Sequence, residues 1–203
     1  MKHRYAIAAI AVATACSGAD VEPVGNPGPV ETEAPTAPSR ETTRMTVQQL
    51  AASVTVVAGD DITWSVGPYD NVFVNLGRTL GAPDYTRVTE EAAIPDALYV
   101  KFMNDMALNI CGQMRDVEPS ERTLTKFISV DETKDSDAIY ENLRYLHLRF
   151  FGERVAAEDK APVEDLKALF DIAVAESTSG SAALDGWQAV CVAMLRAPAF
   201  HVY

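Results

Sequence analysis

The chain has 203 residues, 48% of them apolar and 23% charged, an ordinary globular balance that excludes a wholly disordered or collagen-like polypeptide. Its formal net charge is −12, and removing a leader that carries Lys2 and Arg4 takes away two positive charges and leaves −14. Such a surface repels phosphate backbones. The basic concentration beyond the leader, Arg144, His147, Arg149 and Arg154, is too thin for a nucleic-acid footprint and reads as a solvated helix face.

Met1-Lys2-His3-Arg4 is a short basic region, and residues 5–14 form an apolar run. Ten helical residues rise only ~15 Å, half the thickness of a bilayer core, so residues 1–15 are expected to be a signal peptide and not a membrane span. Ala13-Thr14-Ala15-Cys16 places small residues ahead of a cysteine and resembles a lipobox, although Ala13 stands where that pattern prefers leucine. This resemblance implies lipidation of Cys16; the alternative is an ordinary secretory signal ending near Ala15. Residues 17–44 are rich in Pro, Gly, Thr and Glu without an apolar period, so 16–44 is expected to be a lipidated cysteine followed by a disordered tether. About 28 residues of flexible coil span ~30 Å. By resemblance to lipoprotein sorting in Gram-negative envelopes, Ser17 favours the outer membrane. The expected address is thus the cell envelope, with a lipid as the membrane anchor.

Helical periods dominate from Met45 to Tyr203, which is expected to be one all-α domain, a bundle or orthogonal array of about six helices. Thr46 and Gln49 have capping-box spacing ahead of Val47, Leu50, Ala51, Val54, Val57 and Ala58, and Gly59 is the expected stop. Residues 60–85 read as a long loop with a possible short helix over 72–80. Pro95 suits a first helical turn, followed at steps of four by Leu98, Phe102, Met106, Ile110 and Met114. Pro119 and Ser120 are expected to open a shorter helix carrying Leu124, Phe127 and Ile128. Ser136 should open the next, with Ile139, Leu143, Leu146 and Phe150 inside and Gly152 closing it. Pro162 starts a helix with Val163, Leu166, Leu169, Phe170 and Ala173. A polar turn over 177–181 precedes a last helix with Trp187, Val190, Cys191, Met194 and Leu195, ended by Pro198.

Several segments resemble uncharacterised envelope lipoproteins of myxobacterial type: Gln49-Leu50-Ala51-Ala52-Ser53, Leu80-Gly81-Ala82-Pro83-Asp84-Tyr85, Lys101-Phe102-Met103-Asn104-Asp105 and Asn142-Leu143-Arg144-Tyr145-Leu146. The tail, from Gly186-Trp187-Gln188 through Ala197-Pro198-Ala199-Phe200, is also similar to domains of unknown function that planctomycetes and myxobacteria fuse to cytochrome c modules. Haem in those modules is attached through Cys-x-x-Cys-His, a run this sequence lacks, so cytochrome chemistry does not carry over and no cofactor is expected. The resemblance implies an address and a fold more than a function.

Cys111 and Cys191 lie on the apolar faces of two separate helices in an exported chain, which makes a disulfide the natural pairing and two buried thiols the alternative. His147 and His201 lack local ligand patterns and are expected to be packed or exposed, with no metal. Asp60, Asp61, Asp84, Asp96 and Asp105 would supply a carboxylate pair only if the fold gathered them; turn, cap and helix-dipole roles explain them locally. Trp64, Tyr69 and Phe73 stand in the long loop, where aromatics serve either as partner anchors or as the pins that hold the loop to a core. The leading expectation is a non-enzymatic accessory protein that docks an envelope or secreted protein. Its rival is a small periplasmic hydrolase or redox accessory with a site assembled from dispersed residues.

Overall fold

A computed structural model describes residues 43–87, 90, 94–117 and 121–202. The expected signal peptide, Cys16 and the tether up to residue 42 lie outside the described residues. Within them the protein is all-α. Its helices are α1 (Val47–Ala58), α2 (Val72–Asn75), α3 (Ala97–Asp116), α4 (Ser136–Phe151), α5 (Glu164–Glu176), α6 (Ala182–Arg196) and α7 (Pro198–His201), with a 3-10 turn at Ala161–Val163 leading into α5.

The capping box at the start of α1 forms as its spacing implies: Gln49 N donates to Thr46 Oγ1 at 3.1 Å and Thr46 N donates to Gln49 Oε1 at 2.9 Å. At the other end Gly59 adopts φ 111°, and the Val56 and Val57 carbonyls accept from Arg149 Nη2 at 3.0 Å and Nε at 2.8 Å. Arg149 therefore satisfies carbonyls that a helix end leaves open, and is not part of a solvated face. His147 in the same cluster is buried, its Nδ1–H donating to the Glu153 carbonyl at 3.2 Å.

Helix α3 begins at Ala97, two residues after Pro95, because Asp96 is the cap and its carboxylate accepts from Tyr99 N at 2.7 Å. The buried stripe is Tyr99, Met103, Met106, Ala107, Ile110, Cys111 and Met114, while Leu98 is 44% exposed. A line of steps of four cannot stay on one face, since each step overshoots a turn by ~40° and four of them rotate by ~160°. Leu98 is carried off the inner face in this way.

Residues 121–128 are not α-helical, contrary to the expectation from Leu124, Phe127 and Ile128. The side chain of Asn142, fully buried on α4, donates from Nδ2 to the Leu124 carbonyl at 2.7 Å and accepts at Oδ1 from Phe127 N at 3.1 Å. Backbone groups that a helix would have paired internally are taken by that amide. Leu124 is still buried, as its hydrophobicity requires, but from a loop. Helix α4 itself is capped by Asp135, whose carboxylate accepts from Asp137 N and Ala138 N at 3.1 Å each, and Gly152 closes it at φ 71°.

Helix α6 packs on both α3 and α5. Against α5 the approach is close: a Cβ built on Gly186 would sit 2.7 Å from the Phe170 ring, whose centroid lies 4.5 Å from that of Trp187. Against α3 the contact is covalent, because Cys111 and Cys191 form a disulfide with Cα atoms 5.8 Å apart. Both cysteines are fully buried, and Met114 Sδ lies 3.8 Å from Cys191 Sγ, so the bond is sealed from solvent reductants.

The folded part starts earlier than the composition implies. Arg44, expected in the tether, is 3% exposed, forms an isolated antiparallel bridge with Val202, and is followed by Met45 N donating to the His201 carbonyl at 2.8 Å.

Candidate functional site

The segment that carries Trp64, Tyr69 and Phe73 is a small hairpin followed by α2. Val72 N donates to the Trp64 carbonyl at 2.8 Å, and Val66 and Tyr69 exchange both backbone bonds, at 3.0 and 3.1 Å. Gly67 and Pro68 form the two-residue turn between them, with Gly67 at φ 55°. Tight hairpins need positive φ at the first central position, and the second has no ladder bond for a proline to lose.

Trp64 is 1% exposed and stands edge-on to Phe73 and Phe102, with ring centroids 5.4 and 5.8 Å away. The hairpin base is tied to α3 by two amide side chains: Asn109 Oδ1 accepts from Ser65 N at 3.1 Å, and Gln113 Nε2 donates to the Thr63 carbonyl at 2.8 Å. Gln113 also donates to Asn109 at 2.8 Å, which fixes the orientation of both amides. The three aromatics of the segment thus separate. Trp64 is inside and holds the loop down, Phe73 packs half-buried against the core, and Tyr69 is 40% exposed at the tip beside Val66. Val47 and Ala51 of α1 join Phe73, Val74 and Gly77 around an open groove of about 310 Å³.

The other candidates are engaged locally. Asp84 accepts from the Thr86 hydroxyl and N–H, which hold its carboxyl below the usual range. Asp96 caps α3, and Asp105 pairs with Lys101 one helical turn away. His201 is buried: its Nε2–H donates to the Arg196 carbonyl and Nδ1 accepts from the Tyr99 hydroxyl, both at 3.4 Å. Burial pushes its pKa below the ordinary histidine value. Tyr140 donates to Glu164 at 2.7 Å, and this bond, reinforced by burial, pushes its pKa up to about 12. Among the described residues no three His, Cys, Asp or Glu side chains gather in a metal-ligating group.

Sequence reasoning missed the side chains that hold the connections in place, Asn109, Gln113, Asn142 and Arg149. An amide pair spaced i, i+4 beside the buried stripe of α3 was visible, but the same spacing describes any solvated helix face.

No family model, curated protein or solved structure matches this chain.

Proposed function

We propose that this protein is an exported, lipid-anchored accessory protein of the cell envelope that docks a partner protein through the 63–74 hairpin and adjoining groove. The carrying observation is an exposed tyrosine displayed on a turn whose base is immobilised by a buried tryptophan and two amide ties. A rigid aromatic is an economical anchor, because little conformational freedom remains to be lost on binding. The sealed disulfide supports the address, since such bonds persist in oxidising compartments. Cys16, directly after small residues and an apolar run, supports a lipid on the new terminus, with more than one acyl chain needed for stable anchoring. The outer membrane, suggested by Ser17, is the proposed site.

The test uses the lipidated protein in its own envelope. Cys16→Ser should release it from membranes, and full membrane retention would remove the anchor from the proposal. A photo-crosslinking residue at position 69 should trap one defined partner, whereas the same residue at Ile172, exposed on α5, should not. Tyr69→Ala should then weaken binding of that partner by ~2 kcal/mol, roughly thirtyfold, with the melting temperature unchanged. Equal crosslinking from both positions would reject the hairpin as the docking surface.

A further inference from the structure

We infer that His201 is the catch of an acid-sensitive clasp, and that its protonation releases Arg44 and Met45 from α7. The inference is independent of the docking role of the hairpin. Three contacts close the clasp. Met45 N donates to the His201 carbonyl at 2.8 Å, Arg44 forms its antiparallel bridge with Val202, and the Arg44 guanidinium lies over the Tyr99 ring, 4.6 Å from the centroid. The His201 imidazole stands against the same tyrosine, with ring centroids 5.5 Å apart and Nδ1 3.4 Å from the hydroxyl. One tyrosine thus gathers a cation and a titratable base, both buried, at 3% and 7% exposure. These distances keep the guanidinium carbon within ~10 Å of the imidazole, near enough for like charges to repel across a poorly solvated interior.

The neutral imidazole suits its place, since Nε2–H donates to the Arg196 carbonyl and Nδ1 accepts from the Tyr99 hydroxyl. Acid changes this in three ways. The ring gains a charge while cut off from water, Nδ1 becomes a donor facing the hydroxyl proton, and a second positive charge joins Arg44. The charges around the pair do not offset this. Arg44 Nε and Nη1 have no hydrogen-bond partner among the described residues. Arg196 of α6 is a further cation, exposed and sharing a cavity wall with His201. Asp96 of α3, which lines a cavity with Arg44 and Tyr99, is exposed and accepts from Tyr99 N. Opening the clasp separates guanidinium from imidazolium and lets water reach both. Helix α7 has only four residues, so little ordered structure is given up.

Burial holds the His201 pKa below its ordinary value of 6.5, against a smaller opposing effect of the bond to the Arg196 carbonyl. A base depressed in this way contributes stability that is complete above the ordinary value and is lost as pH falls below it. The clasp is therefore shut at neutral pH and weakened in mild acid. Hydrogen exchange of the Met45 amide in the full chain reads it, with the Val72 amide, bonded to the Trp64 carbonyl, as the reference. After correction for the intrinsic pH dependence of exchange, protection of Met45 should fall about tenfold between roughly pH 7.5 and 5, while that of Val72 holds. The fall should follow the titration of the His201 ring resonances. In His201→Gln, whose amide still donates but does not titrate, Met45 protection should stay level over the same range. Constant Met45 protection while the ring titrates, a ring that stays neutral throughout, or a fall that persists in His201→Gln overturns the clasp. The native titration decides even if the variant does not fold.

Discussion

Two long connections, in their described parts 59–87 and 121–135, are held down in similar ways but to different depths. Each drives large apolar residues inside, Trp64 among them in the first and Leu124 in the second, and in each side-chain amides of a helix take up nearby backbone groups. At the second, one fully buried amide, Asn142, makes both bonds to the loop, while at the first two partly covered amides, Asn109 and Gln113, make one each. Burial of an apolar residue therefore does not require a helix beneath it. It requires that the local backbone find partners elsewhere. A third connection, the polar turn before α6, uses a carboxylate instead: Asp185 accepts from the Ser177 and Ser179 hydroxyls and pairs with Arg115 at 2.7 Å.

The comparison breaks most easily at Trp64. Trp64→Ala should cost about 3–5 kcal/mol in denaturant unfolding, because it empties a fully packed aromatic site. A loss below about 1 kcal/mol would mean that the loop collapses to fill the space, and that its base is not rigid. Asn142→Leu is next, at about 2–3 kcal/mol, since it leaves the buried Leu124 carbonyl and the partly buried Phe127 N–H without the amide that bonds them. Asn109→Ala should cost only about 1 kcal/mol, as water can reach the Ser65 N–H that it releases. If the two amide variants prove equal, burial depth is not what distinguishes the connections.

The smallest effect expected is one of pH. The Ser177 hydroxyl first, then Ser179 and the Arg115 charge, hold the Asp185 carboxyl below its ordinary value of 3.8. A depressed carboxylate contributes stability that is fully present above the unfolded value and is lost as pH falls through the folded one. Unfolding measured from pH 5 downward should therefore show a stability loss in the native protein that is reduced in Asp185→Asn. The Asn142 amide does not titrate, so Asn142→Leu should leave the acid dependence unchanged.

The apolar periods of this sequence were sufficient for the all-α class, for the capping box at Thr46, for the stops at Gly59 and Gly152, and for two cysteines on inward faces. These features depend on contacts within a few residues or on a helix face whose period is set by the backbone alone. What lay beyond the sequence was set by contacts over long separations. Arg149 ends a helix more than ninety positions earlier in the chain, and Asn109 holds a loop residue 44 positions away. Periodicity placed Leu124 inside but did not say whether a helix carried it, because the deciding group belongs to another element. In the same way, Trp64 and Tyr69 looked alike as loop aromatics, and only the packing of Phe73 and Phe102 around the first left the second at the surface. Arg44 had the composition of the tether around it; its backbone pairing with Val202 and its ring contact with Tyr99, both distant in sequence, brought it into the fold.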